Sequence, residues 1–244
     1  MQADSNDIIH SLRKELIQMG GLKTPPRELY RNEGLACMND HFPNGHFPTA
    51  GVHELLCPAP ESMAASLGFV AALNTILFSP EAVVAWIGSD AALFPPALTA
   101  FNLKPQNIIC IYPANLKERA WVIEEALKCK GLNAVIAELK GFDFTQSRRF
   151  QLAVEESGVT GFLLNSTQGA PGNNACVGRW RINSLASEND DGLPGVGFPA
   201  WQVELGKIRN GRKGTWQIFW KNGLLQTIYD SAATLLEQPK KWAV

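Results

Sequence analysis

The chain has little of what marks several specialised classes of protein. Its 244 residues include only five cysteines, and the formal net charge is −1. None of the cysteines forms a Cys-x-x-Cys pair, and an odd, scattered set favours reduced thiols over a disulfide framework. Because the overall charge is near neutral, any contact with nucleic acid must come from local clusters of basic residues.

Long apolar runs and targeting signals are also missing. The longest apolar segment, residues 63–78, is interrupted by Ser66, Gly68, Asn74 and Thr75. It falls short of the roughly 18 uninterrupted apolar residues that a membrane span needs. The polar and acidic start of the chain, MQADSNDIIH, does not have the pattern of a signal peptide. We therefore expect a cytoplasmic protein without membrane contact.

What the chain does contain, from residue 50 onward, is an α/β pattern. Strands alternate with helices, which implies crossover connections and a largely parallel central sheet flanked by helices. The predicted strands cover 51–57, 82–87, 107–112, 134–139, 161–165 and 178–183, and the predicted helices cover 62–78, 92–101, 116–129 and 145–156. Near the end, 201–209 and 215–221 flank Asn210-Gly211 and predict an antiparallel β-hairpin that extends the sheet.

The first 49 residues have a different character. Residues 5–19 show amphipathic helical spacing, with Ile8, Leu12 and Leu16 on one stripe, and residues 20–49 hold four prolines with little periodicity. We expect a helical arm and a surface connector at 1–49, ahead of one domain at 50–244. The apolar stripe either packs on that domain or serves as an arm for a partner protein.

The turn between the first strand and the first helix, GVHELLCPAPESMAASL, is where sheets of this kind bind phosphate. It resembles the phosphate loop of RecA, which requires glycines, a lysine and a hydroxyl side chain for Mg²⁺. In this resemblance Cys57 and Ser62 replace glycines, Pro58 is kept, Met63 replaces the lysine, and Ala64 replaces a threonine. The turn is thus either a vestigial or altered ligand site, or simply a connection between sheet and helix.

The resemblance to RecA extends further along the chain. It places Asp90 at the position of the catalytic acid, Glu138 at the acid of the Walker B strand, and Ser166 at the γ-phosphate sensor. A methionine cannot bring a cation to a phosphate, and an alanine cannot ligate Mg²⁺. We therefore expect no catalytic residues, no ATP hydrolysis and no nucleotide cofactor.

Within this superfamily the chain is most similar to the ImuA family of SulA/RecA-like proteins. The similarity lies in FPTAGVHELL, SRRFQLAVEESGVT, GRWRI and AWQVELGKIRNGRKGTWQIFW, and related stretches cover most of residues 48–220. It implies a RecA-like core of the phosphate-loop NTPase fold. It also implies a non-enzymatic accessory role in SOS-induced, error-prone translesion DNA synthesis, a DNA-damage repair pathway. The implied partners are an ImuB-type polymerase homologue, RecA and a C-family polymerase.

Two alternatives remain beside this interpretation. One is a cell-division inhibitor of the SulA type, although such proteins are shorter and lack the long basic hairpin near the end of this chain. The other is a divergent RecA-like ATPase, which Met63 and Ala64 argue against. Fold alone does not choose between the three, because function depends on sites.

Clustered basic side chains are the candidate contacts for partners or DNA: Arg148, Arg149, Arg179, Arg181, Lys207, Arg209, Arg212 and Lys213. In the hairpin they alternate with Trp216, Phe219 and Trp220, as in surfaces that stack nucleic-acid bases. However, Trp216, Ile218 and Trp220 share one strand face and are equally typical of a core. The arginine pairs either form a partner site or pair with carboxylates such as Glu155.

Four potential metal ligands lie in the connector: Cys37, Asp40, His41 and His46. Their spacing fits no standard zinc set, so we expect no metal site. The segment HFPNGHFP instead predicts a turn whose Phe42 and Phe47 attach the connector to the core. His53, on the first strand, is expected to be a hydrogen-bonded core or edge residue.

Overall fold

The computed structural model of the protein describes residues 33–89, 93–169, 171–187 and 197–228. The strands in these ranges are β1 (Val52–Leu56), β2 (Val84–Ile87), β3 (Ile108–Ile111), β4 (Ala134–Leu139), β5 (Thr160–Asn165), β6 (Gly178–Ser184), β7 (Ala200–Ile208), β8 (Gly214–Lys221) and β9 (Leu224–Thr227). The helices are α1 (Pro60–Leu77), α2 (Leu116–Lys128) and α3 (Phe144–Ser157). The arm with Ile8, Leu12 and Leu16, and also Asp90, lie outside the described residues.

All nine strands belong to one sheet, in the order β3-β2-β4-β5-β1-β6-β7-β8-β9. The ladders from β3 to β6 are parallel, and those from β6 to β9 are antiparallel. This confirms the predicted class, a largely parallel α/β sheet extended by antiparallel strands. Strand β9 was not predicted, because its four residues are too few to show a pattern.

The connections contain several short 3-10 helices. These cover Glu33–Leu35, Asn39–His41, Pro43–Gly45, Pro95–Phe101 and Pro105–Asn107. The segment predicted as a helix at 92–101 is thus 3-10 rather than α. It begins at Pro95 and ends at Phe101, and the next residue, Asn102, adopts a left-handed conformation with φ 59°. No helix among the residues that the structure describes is long and apolar enough to span a membrane.

The predicted hairpin of β7 and β8 is present, but its connection is wider than Asn210-Gly211 suggests. The β7–β8 ladder ends at Leu205 opposite Gly214, while β7 continues to Ile208 paired with β6, so residues 209–213 connect the two strands. The connector holds this tip. The Arg212 backbone N–H donates to the His41 carbonyl (2.9 Å), and His41 Nδ1 lies 2.9 Å from the Lys213 carbonyl. The connector therefore docks on the hairpin and fixes its shape.

Each face of the parallel sheet is covered by its own apolar layer. Helix α1, the connector and the 3-10 helix at Pro95–Phe101 pack on one face, against side chains such as Trp86. Helices α2 and α3 pack on the other face, against alternate residues such as Ala85. The predicted attachment of the connector is confirmed, because Phe42 and Phe47 are buried and the Phe47 ring stacks on Trp180 with centroids 6.0 Å apart.

His53 lies at the centre of the contact between connector and sheet. Its side chain is fully buried among the rings of Phe47, Phe162 and Trp180. Nε2 donates to the Pro48 carbonyl (2.9 Å), which leaves Nδ1 to accept from Trp180 Nε1 (3.3 Å). Burial lowers the pKa of His53 to about 4, so the ring is neutral near pH 7. The expectation of a hydrogen-bonded core histidine is confirmed.

We expect folding stability to depend on His53 in mildly acidic solution. Because the pKa of His53 is about 4 in the folded state and about 6.5 in the unfolded chain, stability is full above pH 6.5 and falls as the pH decreases toward 4. The loss from this one group is about 3 kcal/mol. Urea unfolding at a series of pH values measures it. His53→Gln, which does not titrate, is expected to lose correspondingly less stability over the same range, and equal pH slopes would contradict the assignment.

Candidate functional site

The turn at the phosphate-loop position is short, and the helix begins directly after it. Strand β1 ends at Leu56 and α1 begins at Pro60, which has no N–H to offer an anion. Ser62 Oγ accepts from the Ala59 N–H (3.1 Å) and donates to the Ala59 carbonyl (2.8 Å). The Met63 N–H donates to the same carbonyl (3.1 Å). The first turn of the helix thus uses groups that a phosphate cradle would leave free.

The side chains around this turn do not point to phosphate chemistry. Cys57 is buried and donates to Ser66 Oγ (3.3 Å). Burial raises the pKa of its thiol to about 11, so the sulfur stays protonated. Met63 packs against the apolar layer under α1, whereas the methyl group of Ala64 is exposed. Pro58 is exposed at the rim of the cleft described below.

Glu138, near the end of β4, binds the loop that follows β2. Its Oε2 accepts from the Ser89 N–H (3.0 Å) and from Ser89 Oγ (3.2 Å), and Arg119 Nη1 lies 3.7 Å away. Ser166, at the predicted sensor position, donates its N–H to the Leu139 carbonyl. Both residues therefore have structural partners within the protein at the carboxyl ends of the strands.

A buried carboxylate, Glu54 on β1, organises the neighbouring strands. Its Oε1 accepts from Asn165 Nδ2 (2.8 Å), and its Oε2 accepts from Asn174 Nδ2 (2.7 Å) and Arg179 Nε (2.6 Å). Glu54 is 2% exposed, and its charge is therefore tolerated only because it is paired. We did not predict this network, although a carboxylate among the buried residues of the strand VHELL was a signal for it.

Three of the predicted contact residues hold the segment between β5 and β6. Arg179 Nη2 donates to the Gly172 carbonyl (2.5 Å), Lys207 Nζ to that of Asn174 (2.8 Å), and Arg209 Nη2 to that of Ala175 (2.9 Å). Burial and the nearby arginines lower the pKa of Lys207. These side chains use part of their N–H groups for hydrogen bonds within the protein, and only the remaining N–H groups can contact a ligand.

The other predicted basic residues differ in their surroundings. Arg149 pairs with Glu124 across α2 and α3 (2.6 Å), and Arg181 pairs with Glu204 (2.9 Å). Arg212 donates to the Asp40 carbonyl (2.9 Å). The remaining two, Arg148 and Lys213, have exposed side chains that form no ion pair with a described residue.

The tryptophans of the hairpin belong to the core, the second of the two roles that the sequence left open. Trp220 is buried and donates to the Ala100 carbonyl (3.0 Å), and Ile218 is fully buried. Trp216 packs edge-on against the His41 ring at 4.8 Å. Of the hairpin aromatics, only Phe219 lies on the opposite strand face.

A small cleft opens at the carboxyl ends of β1, β4 and β5. Its volume is about 100 Å³, and its lining includes Glu54, Phe142, Asn165, Thr167, Asn174 and Arg181. Pockets for drug-sized ligands span roughly 300–1,000 Å³, so this cleft is too small for a nucleotide. Among the described residues no cluster of histidine, cysteine and acidic side chains has the arrangement of a metal site.

We expect Glu54→Gln to destabilise the protein by about 3 kcal/mol, because it leaves the half-buried Arg179 without a counter-charge. Chemical denaturation of the purified variants measures this loss. The matched control is Glu204→Gln, which removes the exposed partner of Arg181 and is expected to cost less than about 1 kcal/mol. Similar losses in both variants would show that the Glu54 network does not have the structural role assigned to it.

Comparisons with known proteins were made for the whole chain. No family model matches it. Protein ImuA from two strains of Caulobacter vibrioides is 32% identical over 208 residues, which covers 80% of this chain and 84% of that protein. The crystal structure of SulA from Pseudomonas aeruginosa matches 48% of this chain and 98% of that chain, at 16% identity and a TM-score of 0.40. The identity and coverage of the Caulobacter proteins show that this chain belongs to the ImuA family.

Proposed function

We propose that the protein is a non-enzymatic accessory factor of SOS-induced, error-prone translesion DNA synthesis, and that it acts in the cytoplasm through protein partners. Membership of the ImuA family supports the pathway. The proposal that the protein is not an enzyme rests on the turn between β1 and α1. It has methionine in place of lysine and alanine in place of threonine, and Ser62 closes it on Ala59.

The geometry of this region supports a scaffold rather than a motor. Phosphoryl transfer depends on a lysine and a Mg²⁺ ion that neutralise the charge of the γ-phosphate. Met63 is half-buried and packs against the apolar layer under α1, and the Cys57 thiol is protonated. The Glu138 carboxylate already accepts hydrogen bonds from Ser89. The core is in this proposal a RecA-like protomer that keeps its packing surfaces and has lost its nucleotide chemistry.

The partners that fit this role are an ImuB-type polymerase homologue, RecA and a C-family polymerase. The apolar stripe of Ile8, Leu12 and Leu16 is the proposed arm for one of them, because an amphipathic stripe needs a surface on which to bury its apolar side. The exposed Arg148 is a second candidate contact, since arginine is enriched at protein interfaces.

We expect the purified protein neither to release phosphate from ATP nor to bind a fluorescent ATP analogue in the presence of Mg²⁺. Met63→Lys/Ala64→Thr is expected to behave in the same way, because Pro60 has no N–H for a phosphate and the Ser62–Ala59 hydrogen bonds close the start of α1. Phosphate release and fluorescence anisotropy measure the two activities. ATP hydrolysis that co-elutes with the protein in the final chromatography step would overturn the proposal and favour a divergent ATPase.

We also expect deletion of residues 1–20 to abolish co-purification with at least one of the ImuB-type protein and RecA. The point variant Leu12→Glu/Leu16→Glu is expected to have the same effect, since it places charge on the apolar stripe. The control is Arg13→Glu/Lys14→Glu, which changes residues off the stripe. If full-length protein retains neither partner, the proposed role fails. If the deletion retains both, the arm is not the contact.

A further inference from the structure

We draw no further inference here: the strongest candidate, the exposed apolar surface of the edge strand β3 and of the helix α2 that follows it, which includes Ile109, Leu116 and Trp121, carries no proposal because nothing in the structure shows what covers it.

Discussion

The carboxylate of Glu54 is the constraint on which the centre of this structure depends. A charge at 2% exposure is stable only with partners around it, and its three partners come from β5, from the segment before β6, and from β6 itself. The pairing fixes how the segment after β5 crosses the end of the sheet. Arg179, Lys207 and Arg209 then hold the carbonyls of that segment, so Arg179 is positioned by Glu54 directly, and Lys207 and Arg209 by the segment that Glu54 fixes.

A second set of contacts ties the connector to the far half of the sheet. His41 and Arg212 join the connector to the hairpin, and Phe47 stacks on Trp180 above the buried His53. These contacts explain why the hairpin tryptophans belong to the core: the connector supplies apolar cover that the antiparallel strands lack by themselves. They also separate the two faces of the antiparallel strands: the connector and α1 close one face, and no helix within the described ranges packs on the other.

Most of the fold could be predicted from the sequence because its strands are short apolar runs between helices of clear periodicity. The strand at 134–139 has the predicted bounds, and α2 differs by one residue at its end. What could not be predicted depends on distant contacts. The width of the hairpin connection is set by His41, which lies far away in sequence. The 3-10 form of Pro95–Phe101 is a choice between related helices that the proline pair does not settle.

The candidate site was predicted less well than the fold, for a related physical reason. Substitutions at a known motif, such as Met63 and Ala64, can be read one residue at a time, because each position has a defined chemical task. The role of a basic residue in a cluster cannot be predicted in this way. The same N–H groups of its side chain can donate to a carbonyl, to a carboxylate or to a ligand. Lys207 and Arg209 hold neutral carbonyls while they shape the protein, and Arg209 also lies 3.9 Å from the carboxylate of Glu155. A structural role therefore does not remove these residues from recognition, since it fixes in place the positive charge that a flexible surface side chain would otherwise spread.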